Sequence, residues 1–191
     1  MIIRKLFKFE NAHIVRGCST TRCSTSIHGH SYKIEVLFSS NFLDNGHMVY
    51  DFGLMKGSIK AIIDSFDHAI TLWSGDDSGY IKDMKKHSSR WIELGVSPSA
   101  EQFSRVFFVL IDRLFAQTTT INGEKEVKLH SIIVHETDTG YAQAFRDDAY
   151  SSVMGEIELD KIIISEDILS EYGEVWQKLK SGEEFINPRR V

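Results

Sequence analysis

The chain has 191 residues, 42% hydrophobic and 26% charged, with a formal net charge of −5. That size and balance describe one well-cored domain, and the acid excess excludes the basic surface that nucleic-acid binding requires. No apolar run is long enough to span a bilayer and no charged-then-apolar signal opens the chain. Its two cysteines are therefore expected as reduced thiols in a cytoplasmic protein, where metal binding or chemistry outranks a disulfide.

In chain order, residues 6–11 alternate apolar and polar, with Phe7 and Phe9 on one face, which predicts a strand. "HSYKIEVLFSS" alternates again, with Tyr32, Ile34 and Val36 on one side, and predicts a second strand. From Asp51, a fitting N-cap, the period changes. Met55, Ile59, Ile62, Ile63 and Phe66 recur at helical spacing. "SGDDSGYIKDMKKHSSR" predicts a loop carrying a short helix. "SPSAEQFSRVFFVLIDRLF" predicts a second amphipathic helix, with Ser97 as cap, Pro98 in the first turn, and Phe103, Val106, Phe107, Leu110 and Leu114 as its stripe. "KEVKLHSIIVHET" reads as a third strand, and "GYAQAFR" returns after "TDTG" as the far arm of a hairpin. After Arg146 the composition shifts. Ser165 then caps an expected final helix with Glu166 and Asp167 in its first turn and Lys178 and Lys180 near its end. This order predicts an α+β domain: a four-stranded antiparallel sheet, two helices on one face, and a C-terminal helical extension. A lone sheet of that kind has two open edges, so a homo-oligomer is expected.

The chemistry gathers between the first two strands, in "CSTTRCSTSIHGH". His28 and His30 are two apart on a predicted strand, so both leave on one face. His13 ends the neighbouring strand. Three neutral imidazoles with an open fourth position form the catalytic zinc arrangement, although a His-x-His taken alone also fits surface histidines that merely fall close together. Cys23 lies in a small, polar loop beside Arg22, where a thiol near a cation or a metal has a lowered pKa and can act as a base. Cys18, Cys23, His28 and His30 make a rival set, a closed structural zinc site, but their spacing is poor for it. "FDHAI" places Asp67 directly before His68, a pairing that can orient an imidazole for proton transfer or simply end a helix. "VHETD" puts Glu136 at a strand end, where a carboxylate is either a turn residue or a group able to grip a planar base through paired hydrogen bonds.

"FENAH", "HGHSYKIEV", "YDFGLMKGSIK", "FDHAI", "SPSAEQ" and "VHETD" occur in the order found in the 6-pyruvoyl-tetrahydropterin synthase / 6-carboxy-tetrahydropterin synthase family, which the chain resembles over residues 1–146. The resemblance implies a tunnelling fold, in which sheets from several subunits join into a barrel with helices outside, in a hexamer. It implies zinc on His13, His28 and His30, Cys23 as catalytic thiol, Asp67 and His68 as a proton-transfer pair, Glu136 as pterin anchor and Ser99 near the pterin. The substrate implied is 7,8-dihydroneopterin triphosphate. The carboxy-forming branch would release triphosphate and acetaldehyde on the way to queuosine, and the pyruvoyl-forming branch would stop at triphosphate elimination. A non-catalytic, zinc-stabilised binding module is the third reading, which Asp67, His68 and Glu136 argue against. Arg16, Arg22 and Lys33 are the cations at hand for the triphosphate. Residues 74–97 are longer than the family pattern, and the tail, residues 147–191, lies outside it.

Overall fold

The computed structural model describes residues 1–187, and its frame is a mixed sheet of seven strands rather than the expected antiparallel four. In chain order the elements are β1 (Ile2–His13), α1 (Thr21–Thr25), β2 (His28–Ser39), α2 (Ser58–Asp64), β3 (Ala69–Trp73), α3 (Ser78–His87), β4 (Trp91–Leu94), α4 (Ala100–Ala116), β5 (Thr118–Thr119), β6 (Lys128–His135), β7 (Tyr141–Ala144), α5 (Arg146–Ala149), β8 (Ile163–Ile164), α6 (Glu166–Ser181) and β9 (Phe185–Ile186). The large sheet runs β7-β6-β2-β1-β3-β4-β8, and β5 and β9 pair separately.

The expected four strands are the antiparallel half, β7-β6-β2-β1. Beyond β1 the sheet continues through parallel joins to β3 and β4, then through an antiparallel join to β8. The sequence pattern hides these additions for a physical reason. Four of the five residues of β3 are buried, so "AITLW" shows no alternation, and β4 has four residues. The expected loop from Ser74 carries its short helix as α3, and β4 follows directly after it, where the pattern predicts no strand.

Core packing explains the middle layer. Phe7, Phe9, Tyr32 and Ile34 cover one face of β1 and β2, and Met55, Ile59, Ile62, Phe66, Phe103, Phe107 and Leu110 close over them from α2, the turns on either side of it and α4. Asp51 does not cap a helix; its Oδ1 accepts from the Gly53 amide at 2.7 Å, and the α-helix begins at Ser58. Ser99, not Ser97, caps α4, its Oγ accepting from the Gln102 amide at 3.3 Å. The tail joins the same core through Ile168, Trp176 and Leu179 of α6, and Gly182 ends that helix in the left-handed conformation, φ +78. No described helix is long and apolar enough to cross a membrane.

Candidate metal centre and active site

Strand register builds the centre. In the β1–β2 ladder His13 lies opposite His28 and Asn11 opposite His30, so all three imidazoles project from the helix-covered face. One nitrogen from each lies within 4.8 Å of the others. Gly29 between the two strand histidines sits in a close approach: a Cβ there would meet the Asn11 carbonyl oxygen at 3.1 Å, so the ladder would have to give by a few tenths of an ångström. Cys18 and Cys23 stand outside this convergent group, so the closed two-cysteine, two-histidine set does not form.

The donor chemistry fits a divalent cation. His13 Nδ1 lies 2.5 Å from the Pro98 carbonyl oxygen, and His28 Nδ1 lies 3.0 Å from that of Ser26. An Nδ1–H donated to each carbonyl fixes the tautomer and leaves Nε2 unprotonated for a metal, the outer-shell arrangement of ligating histidines. Burial, aided by the neighbouring His28 and His30, pushes the His13 pKa down to about 4, so this ring is neutral at physiological pH.

Glu136, the residue after β6, turns toward the cluster. Its Oε1 sits 3.7 Å from His13 Nε2 and 3.8 Å from His30 Nε2. The hairpin that carries it closes as expected, with the Glu136 amide donating to the Gly140 carbonyl at 3.2 Å. Tyr32 joins the site as a residue that the motifs do not mark. Its fully buried hydroxyl lies 3.3 Å from His13 Nε2 and donates to Glu136 Oε1 at 3.4 Å. Burial and the Glu136 charge raise its pKa, so it stays a neutral donor. A sequence signal for it exists: Tyr32 continues the same face two residues after His30. Pro98, which orients His13 through its backbone, offers no side-chain signal to find.

Cys23 rides on the one-turn helix α1, partly exposed. Two bonds fasten that turn: the Val15 amide donates to the Cys23 carbonyl at 3.0 Å, and Arg16 Nη1 to the Ser24 carbonyl at 3.0 Å. Arg16 is itself paired with Asp76 at 2.9 Å, and Lys33 with Asp138 at 2.6 Å. Of the cations considered for a triphosphate, Arg22 alone carries no ion pair among the described residues. Ser99 follows Pro98 directly, but its hydroxyl is engaged as the α4 cap.

Asp67 and His68 do touch, Oδ2 to Nδ1 at 2.9 Å, with the His68 side chain 75% exposed. Neither belongs to the convergent three-histidine group. His68 opens into a cavity of about 410 Å³ shared with Glu10, Gly29, Ser31 and His30. Glu10 and Ser31 alternate away from the imidazole face, and the turn of Asp67 and His68 is bonded to Glu10 at the β1 edge of the ladder.

The fold and the site together define an α+β protein with an open three-histidine centre and a carboxylate beside it. The chain belongs to the 6-pyruvoyl tetrahydropterin synthase family, whose model matches residues 2–147. It is 38% identical over 148 residues to the 6-carboxy-5,6,7,8-tetrahydropterin synthase of Helicobacter pylori strain J99, covering 78% of this chain and 74% of that one. The protein of the same name from Aquifex aeolicus is 28% identical over 159 residues, 74% of this chain and 95% of that one. Among solved structures, an uncharacterised protein of Wolinella succinogenes superposes with a TM-score of 0.58 at 17% identity, covering 76% of this chain and 98% of that one. The 6-pyruvoyl tetrahydropterin synthase of Caenorhabditis elegans does so with 0.53 at 17% identity, covering 76% and 94%. These two likenesses speak for the fold.

Proposed function

We propose that the protein is a zinc-dependent 6-carboxy-5,6,7,8-tetrahydropterin synthase, a lyase that converts 7,8-dihydroneopterin triphosphate to 6-carboxytetrahydropterin, acetaldehyde and triphosphate in queuosine synthesis. The observation that carries the reading is the convergence of His13, His28 and His30 beside Glu136 in a chain of this family. His13, His28 and His30 would hold the zinc, which supplies Lewis acidity toward oxygen ligands when bound. The Cys23 thiolate takes a proton from the substrate side chain. His68, oriented through Nδ1 by Asp67, is left with Nε2 to exchange a proton. Glu136 accepts the pterin ring N–H and exocyclic amine together, and Ser99 lies at the edge of that site.

In this reading the Asp67–His68 pair that completes a given centre comes from another copy, which the bonding of the pair to Glu10, on the face away from His13 and His28, supports. A homo-oligomer, a hexamer by resemblance, and a barrel of shared sheets follow from that reading. Residues 1–146 form the synthase domain in this assignment and 147–191 its extension, in a cytoplasmic enzyme.

Product analysis by mass spectrometry, with 7,8-dihydroneopterin triphosphate as substrate, tests the proposal. The expected products are 6-carboxytetrahydropterin and acetaldehyde. A pyruvoyl product would move the chain to the other branch, and pterin binding without turnover would leave a binding module.

A further inference from the structure

The turn that carries Asp67 and His68 is backbone-strained and heavily fastened. His68 has φ +54, a left-handed conformation that a residue with a side chain keeps only when its surroundings over-determine it. From the β1 side, the His68 amide donates to the Glu10 carbonyl at 2.7 Å, and the Glu10 amide donates to Asp67 Oδ1 at 2.6 Å. From the other side comes Arg90, whose side chain is 16% exposed. Its Nε donates to the Asp67 carbonyl at 3.1 Å and its Nη2 to the Asp64 carbonyl at 3.4 Å.

The far end of the same guanidinium is gripped by the tail. Arg90 Nη1 donates to Asp167 Oδ2 at 3.1 Å and to Glu171 Oε1 at 2.8 Å. Those two acids are four apart on α6, so they share one face. The helix is seated rather than loosely laid on. The Ser165 amide donates to the Trp91 carbonyl at 3.1 Å, and the Trp91 amide to Ser165 Oγ at 3.2 Å, next to Arg90 in sequence. Buried Trp176 donates Nε1–H to Ser65 Oγ at 2.9 Å, two residues before Asp67. A planar fork of five donors is the side chain that can hold two carbonyls and two carboxylates at once.

We infer that Arg90, held by Asp167 and Glu171 of α6, is a positioning residue for the Asp67–His68 pair. The inference rests on the function proposed above, in which that pair exchanges protons. It also gives the residues beyond the family pattern a role, since Arg90 comes from the long 74–97 segment and its anchors come from the tail. Neutralising the anchors frees the guanidinium to leave the two carbonyls, and the strained turn then samples other conformations without touching the zinc ligands.

The test uses the full-length, zinc-loaded protein and the double variant Asp167→Asn/Glu171→Gln, with Arg90→Lys as a second probe and Glu166→Gln as a control on the same turn of α6. The readouts are kcat, KM and zinc content with 7,8-dihydroneopterin triphosphate, together with hydrogen–deuterium exchange of residues 64–70 by mass spectrometry. The expected result is a kcat lower by roughly tenfold in the double variant, the scale of a sub-ångström to ångström misplacement. KM and zinc should be unchanged, exchange at 64–70 faster, and the control like the parent. Arg90→Lys should fall too, because an ammonium cannot span the same four acceptors. A double variant with parental kcat and parental exchange overturns the inference. So does a kcat loss accompanied by lost zinc, since α6 is then only a prop for the fold. If the parent itself fails to turn over the substrate, the functional proposal fails, and exchange at 64–70 alone decides whether the anchors hold the turn.

Discussion

Acidification of the metal-free protein should expose the cost of burying His13. Its side chain is fully buried, and its pKa falls from 6.5 to about 4, chiefly by desolvation. A base whose folded pKa is depressed leaves stability intact above the unfolded value and loses it as pH falls, because the unfolded chain takes up the proton first. The window here runs from pH 6.5 down to about 4. Linkage over the 6.5-to-4 gap gives a loss of about 2 kcal/mol at pH 5 and about 3 kcal/mol once both states are protonated. The measurement is guanidinium denaturation of chelator-treated protein at pH 7 and pH 5, at one protein concentration, beside His13→Asn. That variant places an amide donor near the Nδ1 position but cannot titrate. The parent should lose about 2 kcal/mol more than the variant between the two pH values. Equal losses would refute the claim that a neutral imidazole is enforced by burial.

Three further outcomes follow from the site. Cys23→Ala should retain about one zinc per chain by metal analysis while losing turnover, because the convergent group lacks a thiol; loss of the metal would return Cys23 to the ligand set. Glu136→Gln should weaken pterin binding by roughly tenfold to a hundredfold in calorimetry, since one pterin donor would face an NH₂ group, while zinc content stays constant. Light scattering at micromolar concentration should give an oligomer, and a monomer would remove the second copy that the Asp67–His68 pair needs to reach a metal centre.

What is legible in the sequence is what repeats with a period. The alternation of Phe7, Phe9, Tyr32 and Ile34 marks the β1–β2 ladder, and the stripe of Phe103, Val106, Phe107 and Leu110 marks α4; both are core faces in the structure. His13, His28 and His30 are legible for the same reason, since face and strand end follow from period two. Illegible are β3 and β4, buried or brief, and the parallel joins that extend the sheet, because nothing local encodes which strand a short apolar run will pair with. The pattern points to Ser97 as the cap where Ser99 provides it; Pro98 fits the first turn of a helix capped at Ser97, but the chain turns helical two residues later. Tertiary acceptors such as the Pro98 carbonyl carry no residue signature at all.

The ladder that carries the metal ligands is also the ladder that the core pins, and this ties stability to function more closely than either alone. A slip of one residue would send His13 to the open face, away from His28 and His30. Against that slip stand the Phe9–Tyr32 stack, with ring centroids 4.9 Å apart and 9° between planes, and the Phe7–Ile34 pair farther along. Phe103 continues the same packing up to the metal centre, its ring stacked 6.2 Å from that of His13. Tyr32 belongs to both groups, with its ring in the core and its hydroxyl at Glu136. A truncation at Phe9 would therefore loosen the register of the three histidines, and its effect on the proposed zinc affinity should exceed what its place outside the ligand set suggests. The outlying parts of the site, α1 with Cys23 and the turn of Asp67 and His68, hang from this ladder by a few named bonds, so the three-histidine cluster is set by packing and the groups proposed to move protons by hydrogen bonds.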